Sequence, residues 1–233
     1  MEERNIAKFP RPVYGRIPNF VGSEVAAQRL AELEEFRRAR VVKVNPDAPQ
    51  QPVRLLALQQ GKIVVMPTPR LRQGFLVIDP RKVPRDRIHE ASTIKGAFRW
   101  GVFVDPWSLP KIDLVVVGSV AVDLKGSRLG KGEGYGELEY AILRMFCRVD
   151  ESTPVVTTVH DVQIVDAIPR EKHDLTVDIV VTPTRVLRIT PRPPKPSGIL
   201  WDKLDPKKFE EIPLLRRIRE LDEKHLSTLI CKE

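Results

Sequence analysis

The chain has 233 residues, 42% of them hydrophobic and 30% charged, enough for one large domain or two small ones. No run approaches the roughly 20 apolar residues of a membrane span, and the start "MEERNIAKFPRPVYGR" has charges and prolines where a signal peptide needs an apolar segment, so the cytoplasm is the expected location. The formal net charge of +8 is concentrated at the front: residues 1–100 carry 19 Lys and Arg against 10 Asp and Glu, which suggests an anionic partner or a basic surface kept for solubility.

In chain order, Ala26, Leu30, Leu33 and Phe36 fall at helical spacing with Ser23 as a candidate N-cap. "RVVKVN" reads as a strand closed by the turn-like "NPDAPQQP", "VRLLALQQ" as a short helix ended by Gly61, and "KIVVM" as a second strand. The loop "PTPRLRQ" leads to a third strand, "GFLVID", and then to the polar helical stretch "DRIHEASTIKGAFRW". "IDLVVVGSVAVD" is the most strand-like run of the chain. A glycine loop follows it, and then a helix with Leu138, Ala141, Ile142 and Met145 on one face. "TPVVTTVHDVQIVD" and "VDIVVTPTRVL" supply two more strands. The linker "TPRPPKPSG" holds four prolines and precedes a charged helical tail in which Leu214, Leu215, Ile218 and Leu221 share a face suited to packing on the body or on a partner.

Strand and helix alternate, and several strands are continuous Val/Ile runs, the pattern of a sheet buried on both faces in an α/β layered fold. Cys147 and Cys231 have neither metal-type spacing nor the number for a disulfide framework and read as ordinary thiols. His160 reads as a hydrogen-bonded structural residue, His89 and His225 as solvated, and Trp100, Trp107 and Trp201 as packing residues.

The segment "GSRLGKGEGYGELEYAIL" places glycines at 130, 132, 134 and 136 between a strand and a helix. In open α/β sheets ligands bind at the carboxyl ends of strands, and main-chain N–H groups near a helix start attract anions. Arg128 and Lys131 add cationic donors, so a phosphate cradle is chemically reasonable; a mobile linker is the alternative. The loop is neither a Walker loop, since Gly132 stands where Ser or Thr belongs, nor the dinucleotide fingerprint G-x-G-x-x-G.

"DLVVVGSVAVDLKGSRLGKGEGYGE" and "IPREKHDLTVDIVVT", with a weaker match from "RVVKVN" through "GKIVVMP", resemble the 5-formyltetrahydrofolate cyclo-ligase family over about residues 20 to 185. The sequence resembles a divergent branch of that family found in archaea and in a eukaryotic protein with an added RNA-recognition domain. The resemblance implies a three-layer α/β/α, Rossmann-like fold of the CoA-transferase-like kind, with a mostly parallel sheet. It also implies ATP- and magnesium-dependent closure of 5-formyltetrahydrofolate to 5,10-methenyltetrahydrofolate, releasing ADP and phosphate. Carried onto this chain, Arg128, Leu129, Gly130, Lys131, Gly132, Glu133, Gly134 and Tyr135 would hold the ATP phosphates, with Arg11 and Arg16 as further basic candidates. Lys131 and Tyr135 would act at the reacting groups. Asp47 and Tyr135 would contact the folate, and Glu137 and Asp174 would bind magnesium. By their own chemistry Glu137 can equally be an acid balancing a helix dipole, and Asp174 a turn residue.

The chain departs from the family pattern at Gly136, where a second aromatic is expected, and at Glu133, which puts a negative charge in the loop. A related ATP-dependent enzyme acting on another pterin or a thiamine-related compound is therefore an alternative, as is a basic nucleic-acid-binding module, although aromatics total only 6%. The expected organisation is a catalytic α/β domain over residues 1–190, then a Pro-rich linker and helical extension over 191–233. The protein is expected to be a monomer or homodimer with a small-molecule substrate.

Overall fold

A computed structural model describes residues 1–224. Eight strands form one large sheet: β1 (Val41–Val44), β2 (Ile63–Pro67), β3 (Phe75–Ile78), β4 (Val102–Val104), β5 (Leu114–Val117), β8 (Val155–Thr158), β10 (Ile179–Val181) and β11 (Val186–Arg188). Their order is β11-β10-β8-β5-β1-β2-β3-β4, and the five central strands from β10 to β2 are parallel, with antiparallel additions at both edges. A second sheet joins β6 (Ala121–Asp123), β7 (Arg128–Leu129) and β9 (Ile164–Val165) in the order β7-β6-β9.

Because successive strand residues face opposite ways, a strand covered on both sides must be apolar at every position. In β5, Val115 and Val117 enter one core while Leu114 and Val116 enter the other. The first core is covered by α6 (Tyr135–Met145) and by α8 (Pro213–Glu223), which follows α7 (Pro206–Glu211). The second is covered by α1 (Ser23–Ala31), α2 (Glu34–Arg38), α3 (Gln51–Gln59), α4 (Ile88–Ala91) and α5 (Ile94–Trp100). The architecture is thus the expected α/β/α sandwich, with Leu214, Leu215 and Ile218 of the tail buried in the first core. No helix among the described residues is long and apolar enough to cross a membrane.

Several local expectations need correction. "TPVVTTVHDVQIVD" and "VDIVVTPTRVL", expected as one strand each, hold β8 and β9, and β10 and β11, respectively. "IDLVVVGSVAVD" is two strands: the chain leaves the large sheet after Val117, and at the break Gly118 lies against Asp47, Gln50 and Ile17, where a Cβ would come within 2.8 Å of each. Ser23 is the first helical residue and not the N-cap. Gly22 caps the helix in a left-handed turn (φ 91°), seated so close to Pro183 that a Cβ would meet that ring at 2.8 Å. "VFV" after Gly101 forms the short edge strand β4, unforeseen in the sequence. Cys147 is disulfide-bonded and not an ordinary thiol; Cys231 and His225 lie outside the described residues.

Candidate active site

Order and connectivity locate a crevice before any side chain is considered. From β1 the chain proceeds to β2 on one side, and β5 later pairs with β1 on the other, so the direction of winding reverses between β1 and β5. Ligands of open α/β sheets bind beyond the carboxyl ends of the strands at such a reversal. A cleft of about 670 Å³ opens there, bounded by Asn45–Ala48 after β1, the glycine loop, Tyr14–Ile17 of the N-terminal segment, Arg70, and the His173–Asp174 turn.

The four alternating glycines divide into two pairs with different duties. Gly132 (φ 83°) and Gly134 (φ 68°) adopt left-handed backbone that turns the chain into α6, with Gly134 as its N-cap. Gly130 and Gly136 make room for Arg128: a Cβ at either would stand 2.9 or 3.0 Å from its Nη2. The Arg128 side chain is only 3% exposed; its Nε donates to the Gly118 carbonyl at 3.0 Å and its Nη1 to Glu137 Oε1. An aromatic side chain at position 136 would therefore need space that Arg128 fills. Burial pushes the Glu137 carboxyl up, but the charge and hydrogen bond of Arg128 outweigh it and hold the group below its usual range.

Glu133 at the loop tip is paired with Lys131 at 3.2 Å and accepts from Arg70 Nη2 at 3.1 Å. Its negative charge is thus neutralised by two cations on the cleft wall, which keep it ionised below the usual range against the opposing effect of burial. Arg70 was not singled out in the sequence; the signal available was its place directly after Pro69 in a tight turn, where it adopts a positive φ of 57°.

The floor of the cleft is charged and buried. Lys43, in the middle of β1, donates to Glu139 Oε2 of α6 at 2.6 Å and to Asn45 Oδ1 at 2.7 Å, with all three residues buried. Burial raises the Glu139 carboxyl, with Lys43 opposing. Asp47 stands above them. Burial raises its carboxyl from the ordinary value, although Lys131, Arg54 and Arg128 pull the other way. Fully buried Arg54 fixes the loop after β1 by donating to the carbonyls of Asn45 and, at 3.2 Å, Asp47, and to that of Ser92 at 2.7 Å. Burial lowers its guanidinium to about 10.

Of the residues singled out in the sequence, Arg16, Asp47, Arg128 to Tyr135, Glu137 and Asp174 all border this one cleft. Arg11 does not; its guanidinium is paired with Glu2. Lys131 and Arg16 are exposed at the mouth, whereas Arg128 is enclosed beneath the loop. Asp174 Oδ2 accepts from the Glu171 amide at 2.7 Å, an arrangement that also suits a turn residue. Glu137 and Asp174 bring hard oxygen donors to the same cavity, a donor set that fits magnesium, which takes one or two carboxylates beside waters and phosphates. Among the described residues no group of three or more His, Cys, Asp or Glu forms a denser metal site.

Residues 1–183 match the 5-formyltetrahydrofolate cyclo-ligase family. The chain is similar to a methenyltetrahydrofolate synthase domain-containing protein of Homo sapiens, 48% identical over 94% of this chain and 58% of that protein. It is also similar to a Danio rerio protein of the same name, 44% identical over 96% of this chain and 59% of that one. It spans about three fifths of the length of these relatives. The NMR structure of the 5,10-methenyltetrahydrofolate synthetase of Aquifex aeolicus aligns with a TM-score of 0.49 at 23% identity, over 72% of this chain and 81% of that one.

Proposed function

The chain belongs to the 5-formyltetrahydrofolate cyclo-ligase family, and on that premise we propose that it uses ATP to close 5-formyltetrahydrofolate to 5,10-methenyltetrahydrofolate. The observation that carries this reading is the convergence, in one cleft at the winding reversal, of the glycine loop, the cations Lys131 and Arg16, and the carboxylates Asp174 and Glu137. The reaction needs positioning and charge neutralisation, and no protein nucleophile. The formyl oxygen takes the γ-phosphoryl group and ADP leaves; N10 of the folate then attacks the activated carbon, and phosphate departs with the former formyl oxygen.

In this reading the loop from Gly130 to Tyr135 encloses the polyphosphate with main-chain amides, and Lys131 neutralises the transferring phosphoryl group. Magnesium, held by Asp174 and Glu137, supplies further charge neutralisation at the phosphates when bound. Asp47 and the Tyr135 ring bound the pteridine. Arg128 acts one layer back: it orients Glu137 and holds the loop down.

The test is the appearance of methenyl product by absorbance, with ATP present and absent. Lys131→Ala and Asp174→Ala are each expected to abolish ATP-dependent product while the circular dichroism spectrum is retained. Unchanged turnover in both variants would reject the proposal. Because Arg128 fills the space beside Gly136, a second reading keeps the ATP chemistry but changes the pterin; a panel of pterins scored by ADP release separates the two.

A further inference from the structure

Tyr135 opens α6 and forms part of the cleft wall. The tail also reaches this ring. Lys208 of α7 places its Nζ 5.2 Å from the ring centroid, and a Cβ on Gly134 would stand 3.2 Å from the same nitrogen. Where Arg70 and Lys131 both turn to Glu133, Lys208 turns to the ring. Burial, reinforced by the Glu211 carboxylate of α7, holds the Tyr135 phenol above its usual range, so the ring presents a neutral π-face to the ammonium across physiological pH.

The position of Lys208 is fixed by its surroundings. Asp205 accepts from the Lys207 amide at 3.0 Å and starts α7. Phe209 meets Trp201 edge-on at 6.4 Å, Arg219 lies over both rings, and fully buried Ile212 ends the helix in the core beneath α6. Nothing after residue 183 belongs to the family match, so this contact is supplied by a segment the family pattern does not cover.

We propose that Lys208 is a positioning residue of the active site: its ammonium holds the Tyr135 ring and the Gly132–Gly134 turn, so that the C-terminal extension sets how tightly the cleft takes its pteridine substrate. This rests on the cyclo-ligase reading for the identity of the substrate, not for the contact. Lys208→Met keeps the apolar stem and removes the charge, whereas Lys208→Arg keeps a cation able to stack on the ring.

In the full chain, Lys208→Met is expected to raise KM for 5-formyltetrahydrofolate about fivefold, within the range a cation–π contact supports. The KM for ATP should rise as well, since the same turn borders the polyphosphate, and Lys208→Arg should restore both values. Unchanged KM in Lys208→Met overturns the proposal. So does an equal loss in both variants accompanied by a lower Tm, which marks a merely structural role. Should the wild-type chain form no methenyl product, the substrate assignment fails, and amide hydrogen exchange at residues 132–136 decides the positioning role. Exchange faster in Lys208→Met but not in Lys208→Arg supports it; equal rates in all three proteins overturn it.

Discussion

Arg128 stands where a phosphate-binding cation was expected, yet its guanidinium fills the space that Gly130 and Gly136 leave open, and Glu137 takes up its charge. Two consequences can be measured. Restoring an aromatic by Gly136→Tyr should not improve folate turnover; it should displace Arg128 and lower both Tm and kcat. Arg128→Met leaves a nearly buried carboxylate without its partner, a change that costs about 3–5 kcal/mol in other buried pairs, and urea unfolding should show a loss of that order. Asp47 gives a pH-dependent case. Its carboxyl is raised, so the folded state holds the proton more tightly than the unfolded state, and stability falls as pH rises from the ordinary carboxylate value of 3.8 through the folded-state value. Asp47→Asn removes the buried charge. Its Tm should exceed that of the wild type at pH 8, and the difference should close as pH approaches 3.8. A constant offset across that range would show that the charge is not the cause.

At the scale of elements, β1 and α6 are pinned by the Lys43–Glu139 pair beneath the cleft. Lys43→Met strands Glu139 and should destabilise by about 3–5 kcal/mol, whereas Lys43→Met with Glu139→Leu should recover most of that loss, because apolar replacement of a whole buried pair is often neutral. Equal destabilisation in the single and double variants, measured by urea titration, would refute this account. The pair also marks how far local pattern reaches. The central strands were legible because burial on both faces demands continuous Val and Ile, and the loop because four alternating glycines are costly without a reason. What was not legible depends on contacts distant in sequence. At the strand break Gly118 lies against Asp47, Gln50 and Ile17, partners that the glycine in "VVVGSVAVD" hints at but does not identify. Arg128 was identified by its charge, but its burial follows from Glu137 and the Gly118 carbonyl. Lys43, Asn45, Arg70 and Glu139 entered the site only through the fold, although Lys43 inside "VVKVN" and Glu139 inside "LEYAIL" were visible hints.

Across the whole molecule, the question is whether the tail is an appendage or a structural part of the catalytic body. Its apolar face lies in the same core as α6: Leu215 and Ile218 are fully buried, and Leu214 contacts the turn at Gly74. Arg217 adds a two-pronged pair with Asp105, both bonds at 2.9 Å, and stacks over Trp107 at 4.8 Å. A segment joined this way cannot unfold without exposing the first core, so tail and body should melt together. With Trp100→Phe and Trp107→Phe, Trp201 becomes the only tryptophan and reports on the tail, while far-UV circular dichroism reports on the body. The two urea transitions are expected to share one midpoint and one slope. Leu215→Ala should shift both together, by the 2–5 kcal/mol typical of a buried leucine lost from a core. A Trp201 transition at lower urea, with the body transition unmoved, would show an independently detachable tail, and the contact between Lys208 and Tyr135 would then be too weak to shape the cleft.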